Sequence, residues 1–437
     1  MSVERSVVAR TALRWRRTPV MAVGLGGAAL LAGAGLALSR ADVVAIGLPL
    51  ALATAWALLR RPRDGEMTVT LRARPGGSAA APTANGSIGV EAPTDWVQLA
   101  VDQGERRTGL ADVRPDVTAL TSRSRLQHSG PSEILAVTAR CVALDGAWIT
   151  ETSPMTKLIW NAPPQTRRLS RIPVAPRLTG LHGSHEGARP GQGGDFRDVH
   201  PFAPGDELRR VDWRATARAA RQPGELMVRR NNALSDSAVV IAMDTAEDLG
   251  SVVASWGSGD PERSGVTSLD LAREAALSIA GAAVGAGDRV AFHALSADGR
   301  SIPAGSGARH LARVRDVIAA TGPSGDQSRY RRTPVVARGS IVFVISAFFD
   351  GVAAELATRW RAAGHAVIAV DVLPEPQPDR LGPAQLVAMR TLLAERTDVL
   401  AELRDAGVEV VAWTAGDQDA EMRLAALRQQ RMRAVRR

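Results

Sequence analysis

Residues 238–248 read AVVIAMDTAED, an apolar run that ends at a cluster of three acidic side chains. A short and almost wholly apolar run is typical of a strand that is buried on both faces of a parallel sheet. Similar runs recur downstream at 289–295, 341–346, 366–372 and 408–413. Helical patterns lie between and after them, at 268–284, 308–320, 352–363, 384–405 and 420–435. This alternation predicts an α/β domain over residues 235–437, built on a doubly wound, mostly parallel sheet.

The first 63 residues predict a membrane anchor made of two transmembrane helices. Residues 18–39 are apolar and long enough to cross a hydrocarbon core, and residues 43–59 form a second, shorter run. Only three residues separate the runs, which favours a helical hairpin with internal backbone hydrogen bonds. A cleaved signal peptide is the competing interpretation, and the second run argues against it. Small residues at helical spacing would let the helices approach closely; they are Gly24, Ala28, Ala32 and Gly35.

Most of the positive charge of the chain lies beside these apolar runs. The formal net charge is +9, and residues 1–63 contribute nine arginines against only Glu4 and Asp42. Because arginines flank both ends of the predicted hairpin, the positive-inside rule places both flanks, and everything after residue 63, in the cytoplasm. We therefore expect a multi-pass protein of the cell membrane. Nucleic-acid binding is not expected, since the chain has one tyrosine and no interleaving of aromatic and basic residues.

The scarcity of cysteine and lysine excludes three kinds of site. Cys141 is the single cysteine, which excludes an intramolecular disulfide bond and a cysteine-based zinc site. Lys157 is the single lysine, so the chain contains no Gly-x-x-x-x-Gly-Lys loop. A protein without that loop is not a P-loop ATPase by itself.

Two further segments connect the anchor to the α/β domain. Residues 64–160 contain alternating apolar and polar positions, which predict a small β-sandwich. The clearest alternation is at 96–101, 134–144 and 148–150. Residues 161–234 predict a linker with little periodicity, and this linker contains the most distinctive motif of the chain.

That motif spans residues 193–218 and reads GGDFRDVHPFAPGDELRRVDWRATAR. It resembles the signature of the bacterial domain-of-unknown-function family fifty-eight, Gly-x-Asp/Glu-Phe followed by Pro-Gly-Asp-x-x-Arg-x-x-x-Trp-x-x-x-Ala-Arg. The matching residues are Gly194, Asp195, Phe196, Pro204, Gly205, Asp206, Arg209, Trp213, Ala217 and Arg218. The resemblance implies a von Willebrand factor A-like α/β domain and paired transmembrane helices. It also implies an association with a MoxR-type AAA+ ATPase.

The spacing within the motif predicts a short helix. Asp206 follows a Pro-Gly turn and is placed to cap a helix that begins at the next residue. Arg209 and Trp213 would then share one face, with Asp212 near enough to Arg209 for an ion pair. Trp213 would anchor this helix on the α/β domain. Two interpretations remain open, a buried network that locks the segment in place and a recognition surface for an acidic partner. The residues concerned are Asp195, Phe196, Asp206, Arg209, Asp212, Trp213 and Arg218.

The resemblance also implies a metal site at the end of the first strand of the α/β domain. A-type domains carry Asp-x-Ser-x-Ser there, and its oxygen atoms bind a divalent cation. This chain keeps Asp244, but Ala246 and Asp248 replace the two serines. One interpretation is a Mg²⁺ ion held by Asp244, Asp248 and Ser306. The other, which the replacements favour, is that Asp244 caps the loop after the strand.

These observations favour a membrane-anchored, non-enzymatic adaptor that docks a protein partner. A metal-dependent hydrolase is one alternative, in which the motif's carboxylates would hold the metal. The interleaved arginines argue against it, because each carboxylate has a cationic neighbour. A cell-envelope structural protein that binds through the β domain is the other alternative. The carboxylates of the hydrolase alternative are Asp195, Asp198, Asp206 and Asp212.

Overall fold

The structure is a computed structural model that describes most of the chain. The described residues are 4–78, 81–103, 106–115, 120–144, 146–170, 172–175, 185–219, 222, 224–235, 237–256, 264–296, 299–324, 333–414 and 419–436. The chain divides into two compact units. Unit 1 comprises Met1–Gln127 and Pro131–Asn161, and unit 2 comprises His128–Gly130 and Ala162–Arg437.

Two apolar helices in unit 1 are long and apolar enough to cross a membrane, α1 (Pro19–Ala37) and α2 (Ala41–Leu59). Each has 19 residues and is therefore roughly 28 Å long, close to the thickness of a hydrocarbon core. Of the four small residues of α1 predicted to face α2, Gly24, Ala28 and Gly35 are buried and Ala32 is half-buried. Small side chains at these positions let the backbones of the two helices approach closely.

Two short strands, β1 (Arg5–Ala12) and β2 (Trp15–Arg17), precede α1. The sequence predicts only an anchor over residues 1–63, whereas the structure places these strands in the sheets of unit 1. β1 pairs antiparallel with β3 (Glu66–Ser78), the first strand after α2, and Ala12 lies opposite Glu66. The strand that enters the hairpin is thus hydrogen-bonded to the strand that leaves it. Both flanks must lie on the same side of any membrane that the helices cross.

The rest of unit 1 consists of two sheets packed face to face. One has the strand order β1-β3-β4-β7, and the other has the order β2-β9-β8-β5-β6 with β10 paired to β8. The sulfur atoms of Met67 and Cys141 lie 3.6 Å apart across the interface. Burial raises the pKa of the Cys141 thiol to about 11, so the thiol stays protonated at neutral pH. The remaining strands are β4 (Ala81–Glu91), β5 (Trp96–Gln103), β6 (Arg106–Val113), β7 (Leu120–Arg125), β8 (Gly130–Ala143), β9 (Trp148–Thr150) and β10 (Thr156–Ala162).

Unit 2 contains a six-stranded sheet with the order β15-β14-β13-β16-β17-β18. Five of these strands are parallel and correspond to the five apolar runs in the sequence. They are β13 (Ala238–Asp244), β14 (Arg289–Leu295), β16 (Ile341–Ser346), β17 (Ala366–Asp371) and β18 (Glu409–Ala412). The antiparallel edge strand β15 (Ser301–Gly305) is not among the predicted strands, because it has only five residues and contains a proline and a glycine.

Helices cover both faces of this sheet. On one face, α4 (Ser268–Gly285), α5 (Ala308–Ala319) and α8 (Asp419–Arg436) pack on alternate strand residues such as Ile241 and Phe343. On the other face, α6 (Val352–Ala362) and α7 (Pro383–Asp405) pack on the intervening residues. Both faces of each central strand are therefore buried, which explains why the strand sequences are continuously apolar.

The signature motif lies on a separate antiparallel hairpin of unit 2. Its strands are β11 (His185–Pro201) and β12 (Met227–Ser235). Between them the chain forms a 3₁₀ turn at Leu208–Arg210 and the short helix α3 (Trp213–Ala219).

Replacing Gly35 with alanine is expected to weaken the packing of α1 against α2 by roughly 1–3 kcal/mol. The added methyl group would lie 2.9 Å from the backbone atoms Arg40 O and Val44 N, which cannot move aside cheaply. Gly33→Ala is the matched control, because a methyl group there meets nothing within 4 Å. Thermal unfolding of the full chain in detergent, followed by circular dichroism, compares the two. Equal unfolding midpoints would contradict the packing described here.

Candidate functional site

The backbone of the signature motif departs from the single helix that its spacing predicts. The 3₁₀ turn ends at Val211, which is extended and forms an antiparallel bridge with Val228 of β12. α3 then begins at Trp213. This long-range bridge overrides the local helical preference. Arg209 and Trp213 therefore lie in different elements and do not share a helical face.

The two aspartates of the motif hold the backbone in this path. Asp212, and not Asp206 as predicted, caps the helix, since its Oδ1 accepts hydrogen bonds from the backbone nitrogens of Arg214 (3.1 Å) and Ala215 (2.9 Å). Asp206 closes the Pro-Gly turn instead, because its Oδ2 accepts a 2.9 Å bond from Ala203 N. The same oxygen lies 3.3 Å from His200 Nε2, close enough for an ion pair but without hydrogen-bond geometry.

The predicted ion pair between Arg209 and Asp212 is replaced by another. Arg209 Nε lies 2.5 Å from Glu207 Oε2, and the side chain of Arg209 is 72% exposed. The guanidinium group holds the pKa of Glu207 below its ordinary value. A pair this exposed is screened by water and contributes little to stability. Arg209 is thus available to a partner at small cost.

Large apolar side chains of the motif also face solvent. Trp213 and Leu208 are each 69% exposed, and Phe202 is 40% exposed. Trp213 therefore does not anchor the segment on the α/β core, which corrects the sequence prediction. Phe202 N donates a hydrogen bond to Leu226 O, and Asp212 N donates one to Met227 O. Phe202, and Trp213 beside Asp212, are therefore both held near the start of β12. We call Phe202, Leu208, Arg209 and Trp213 the signature surface.

The remaining predicted residues of the motif lie around this surface. Phe196 is half exposed, with the guanidinium carbon of Arg229 5.0 Å from its ring centre. Arg214 and Arg218 are exposed on α3, and neither guanidinium group has an ion pair within the described residues. The side chain of Asp195 lies outside the part of the chain that the structure describes.

The carboxylates that the hydrolase alternative needs are engaged elsewhere. Asp198 binds Arg230 through two hydrogen bonds, of 2.9 and 3.2 Å, while Asp206 and Asp212 hold backbone nitrogens. Among the described residues, no three His, Cys, Asp or Glu side chains converge as a metal site would require.

A second polar group lies where the strands of the α/β sheet end. Asp244 and Ser346 terminate the adjacent strands β13 and β16, at the point where the connections change direction along the sheet. Ser346 Oγ donates a 2.7 Å hydrogen bond to Asp244 Oδ2, and Ala246 N donates a 3.1 Å bond to Oδ1. Burial raises the pKa of Asp244, although the bond from Ser346 acts in the opposite direction.

The next strand end belongs to Asp371, which is not among the predicted site residues. Arg396 of α7 is buried, and it donates hydrogen bonds to Asp371 Oδ1 and to Ala347 O. The position of Asp371 at the end of an apolar run was a usable signal. The pairing with Arg396 has no local signature, since the two residues belong to different elements.

Topology removes Ser306 from the predicted metal ligands. Ser306 follows the antiparallel strand β15, whose Gly305 pairs with Val290 near the start of β14. Asp244 lies at the other end of the sheet, roughly 17 Å away along the strand direction. Asp248 accepts a 3.3 Å hydrogen bond from Leu269 N at the start of α4. The side chains present do not fit the predicted three-residue site, because its members lie at different edges.

A largely buried cluster at the start of α4 lies outside the predicted sites. Asp270 Oδ2 lies 2.6 Å from His128 Nδ1, and His128 Nε2 lies 3.3 Å from Ser264 Oγ. This order of groups resembles a nucleophilic relay. Asp270, however, also binds the backbone and hydroxyl of Ser129 and closes the capping box of α4. These contacts hold residues 128–130 on the helix, so we assign the cluster a structural role.

The fold and sites together define an α/β protein with two membrane-length helices and an arginine-rich, partly apolar hairpin. Residues 198–401 match the family model described as "Protein of unknown function DUF58". This region of the chain is therefore a domain of that family, and the resemblance seen in the signature motif is confirmed. The match includes most of the motif and the sheet as far as α7.

The curated relatives carry no further description of activity. One uncharacterized protein of Mycobacterium bovis and two of Mycobacterium tuberculosis are each 30% identical to this chain over 218 residues. The match covers 47% of this chain and 63% of each relative, less than two thirds of their length. No solved structure matches the chain.

Asp244→Asn is expected to keep or raise the free energy of unfolding at neutral pH. A carboxyl group whose pKa is raised on folding stabilises the protein at low pH, and this contribution is lost as the pH rises through the folded pKa. The amide cannot ionise, so the variant should not show that loss. Urea denaturation of the full chain at several pH values around neutrality measures the free energy of unfolding of the variant and the wild type.

Asp316→Asn, on an exposed side chain of α5, is the control for this substitution. A larger loss of stability in Asp244→Asn than in the control would contradict the expectation. Stabilisation of the wild type by Mg²⁺, absent in Asp244→Asn, would instead favour the metal interpretation.

Asp270→Asn is expected to lower the free energy of unfolding by about 1–3 kcal/mol at neutral pH. Burial acts to raise the pKa of Asp270, but the hydrogen bond and charge of His128 outweigh it and hold the pKa below 3.8. The contribution is thus present above pH 3.8 and is lost as the pH falls through the folded pKa. Acid titration of stability should be shallower in the variant. Asp398→Asn, exposed on α7, should behave as wild type.

Proposed function

We propose that this protein is a membrane-anchored adaptor, without enzymatic activity of its own, that docks a partner protein through the signature surface. The observation that carries the proposal is the exposure of Trp213 and Leu208 on a hairpin that is otherwise tightly hydrogen-bonded. Aromatic side chains with a neighbouring arginine are the residues that most often dominate binding at protein interfaces.

The charge around the signature surface indicates the chemistry of the partner. Arg214 and Arg218 stand one helical turn apart on α3, and both are exposed. Together with Arg209 they present guanidinium groups beside an apolar patch. The complementary surface is a protein segment with apolar side chains flanked by carboxylates. The resemblance of the motif points to a MoxR-type AAA+ ATPase, or a client that it remodels, as the protein that carries such a segment.

The backbone geometry supports a rigid presentation of this surface. Asp212 caps α3, Asp206 closes the preceding turn, and the Val211–Val228 bridge fixes the chain between them. A preorganised surface loses little conformational entropy on binding. In this proposal the two alternatives from the sequence are combined, because the hydrogen-bonded network holds the side chains of the recognition surface in position.

The membrane arrangement in this proposal follows from the hairpin of α1 and α2. Pairing of β1 with β3 supports an arrangement with both flanks on one side, and the arginines at those flanks favour the cytoplasmic side. The α/β unit would then face cytoplasmic partners. The position of Asp244 at the end of the first strand supports the A-like relation that the motif implies, a class of domain that generally serves in protein contacts.

Binding of a purified MoxR-type ATPase from the same bacterium to the full chain in nanodiscs tests the proposal. Trp213→Ala is expected to weaken binding by about tenfold or more, as the loss of a dominant interface residue does. Leu208→Ala is expected to weaken binding by about tenfold, because it removes apolar area that binding would bury. Leu110→Ala is the matched control, since Leu110 is an exposed leucine of unit 1. It should leave binding unchanged. All three variants should unfold at the wild-type temperature, because the side chains are exposed.

Charge reversal at Arg214 and Arg218 should slow association and reduce its dependence on salt. Failure of the wild-type protein to bind the ATPase would remove the proposed partner. Binding that survives both Trp213→Ala and Leu208→Ala would show that the signature surface is not the docking site.

A further inference from the structure

A cavity of about 710 Å³ opens on the outer face of the sheet β1-β3-β4-β7 in unit 1. Three arginines and one glutamate are the charged residues among those that line it. The side chains that matter are Arg72, Arg74, Asn85, Ser87, Thr121 and Arg123. Neither the signature motif nor the α/β sheet contributes to it, so the function proposed above leaves this cavity unexplained.

The register of the strands explains how the cavity forms. Arg72 of β3 lies opposite Ser87 of β4, and Ser87 lies opposite Thr121 of β7. In the next outward-facing row, Asn85 lies between two arginines, Arg74 and Arg123. The middle strand therefore contributes the short polar side chains of Asn85 and Ser87, while the strands beside it contribute three long arginine side chains. This difference in length produces a polar floor between basic walls.

The arginines of the cavity are not neutralised by the protein. Arg74 pairs with Glu4, whose Oε2 lies 3.1 Å from Arg74 Nη2. The guanidinium groups of Arg72 and Arg123 have no ion pair or hydrogen bond within the described residues, and both side chains are exposed. Three arginines and one glutamate leave a local excess of about two positive charges.

We propose that this cavity binds a soluble small molecule that carries a phosphoryl group. A phosphoryl monoester or diphosphate brings the two negative charges that balance Arg72 and Arg123. Guanidinium groups bind phosphoryl oxygens through paired hydrogen bonds, and the hydroxyl and amide groups of the floor can donate to the oxygens that remain. The volume exceeds the needs of phosphate alone and falls in the range of small-molecule sites.

The position of the cavity in unit 1 favours a soluble ligand over a lipid headgroup. The hairpin of α1 and α2 joins the sheet beside Ala12 and Glu66, which pair with each other. Arg72 lies six residues further along β3, roughly 20 Å from that end. A headgroup at the membrane surface would reach Arg72 only if β3 lay along the membrane.

Calorimetric titration of the full chain, in a non-ionic detergent, with pyrophosphate tests the proposal. Arg72→Gln and Arg123→Gln are each expected to weaken binding by about tenfold or more, since each removes a charge-assisted contact. Arg140→Gln is the matched control, because Arg140 is an exposed arginine on β8 of the other sheet and binds Gln98. It removes the same charge and should leave the affinity unchanged. Unaltered unfolding midpoints would show that all three variants are folded.

Three outcomes would overturn the proposal. The first is that pyrophosphate gives no heat of binding, or that Arg140→Gln loses as much affinity for it as Arg72→Gln and Arg123→Gln do. Either result would mean that the cavity is not a specific site. The second is binding of citrate as tight as that of pyrophosphate at equal ionic strength, which would reduce the site to a general polyanion surface. The third is weaker pyrophosphate binding in phosphatidylglycerol nanodiscs than in phosphatidylcholine nanodiscs, which would assign the site to lipid headgroups.

Discussion

Burial of β13 on both faces is the constraint on which the rest of unit 2 depends. The strand pairs with β14 on one side and β16 on the other, and helices cover both faces of the sheet. Only apolar residues are tolerated along such a strand until the chain leaves the sheet. Asp244 is the first side chain at that limit, and it meets Ser346 because parallel strands end at the same edge. The polar groups at the strand ends are thus a consequence of the sheet.

The same constraint decides how much of this protein could be predicted from its sequence. The five parallel strands and their helices follow from periodicity, because every residue in them reports on burial. The helix expected from Asp206 onward was wrong, since the bridge between Val211 and Val228 is a long-range contact with no local pattern. Ser306 was misplaced for a related reason. The strand before it, with a proline and a glycine, gives no signal that it runs antiparallel.

Unit 1 depends on a different pairing, that of β1 with β3. Those strands are adjacent in the sheet although the two apolar helices separate them in sequence. The hairpin of helices is thereby joined at both ends to the folded part of unit 1, directly after β2 on one side and through residues 60–65 on the other. Thr18 at the start of α1 and Ala57 near the end of α2 are also hydrogen-bonded to residues 146–148 of unit 1. Periodicity alone predicts the two helices and the later strands, but it does not predict that β1 pairs with β3 and so joins the helices to the sheet.

The sites differ in whether their side chains already interact with other groups of the protein. At the strand ends and in the His128 cluster, the charged groups already have protein partners, so a further ligand would have to displace those contacts. Trp213 and Leu208 are the opposite case, because they remain in water although burial of a leucine side chain is worth about 1.5–3 kcal/mol. Arg72 and Arg123 are comparable, because their charged groups have no ion pair within the described residues. Interactions that the fold leaves unmade are the ones that a partner or ligand can still make. The signature surface and the basic cavity are therefore where binding is to be sought.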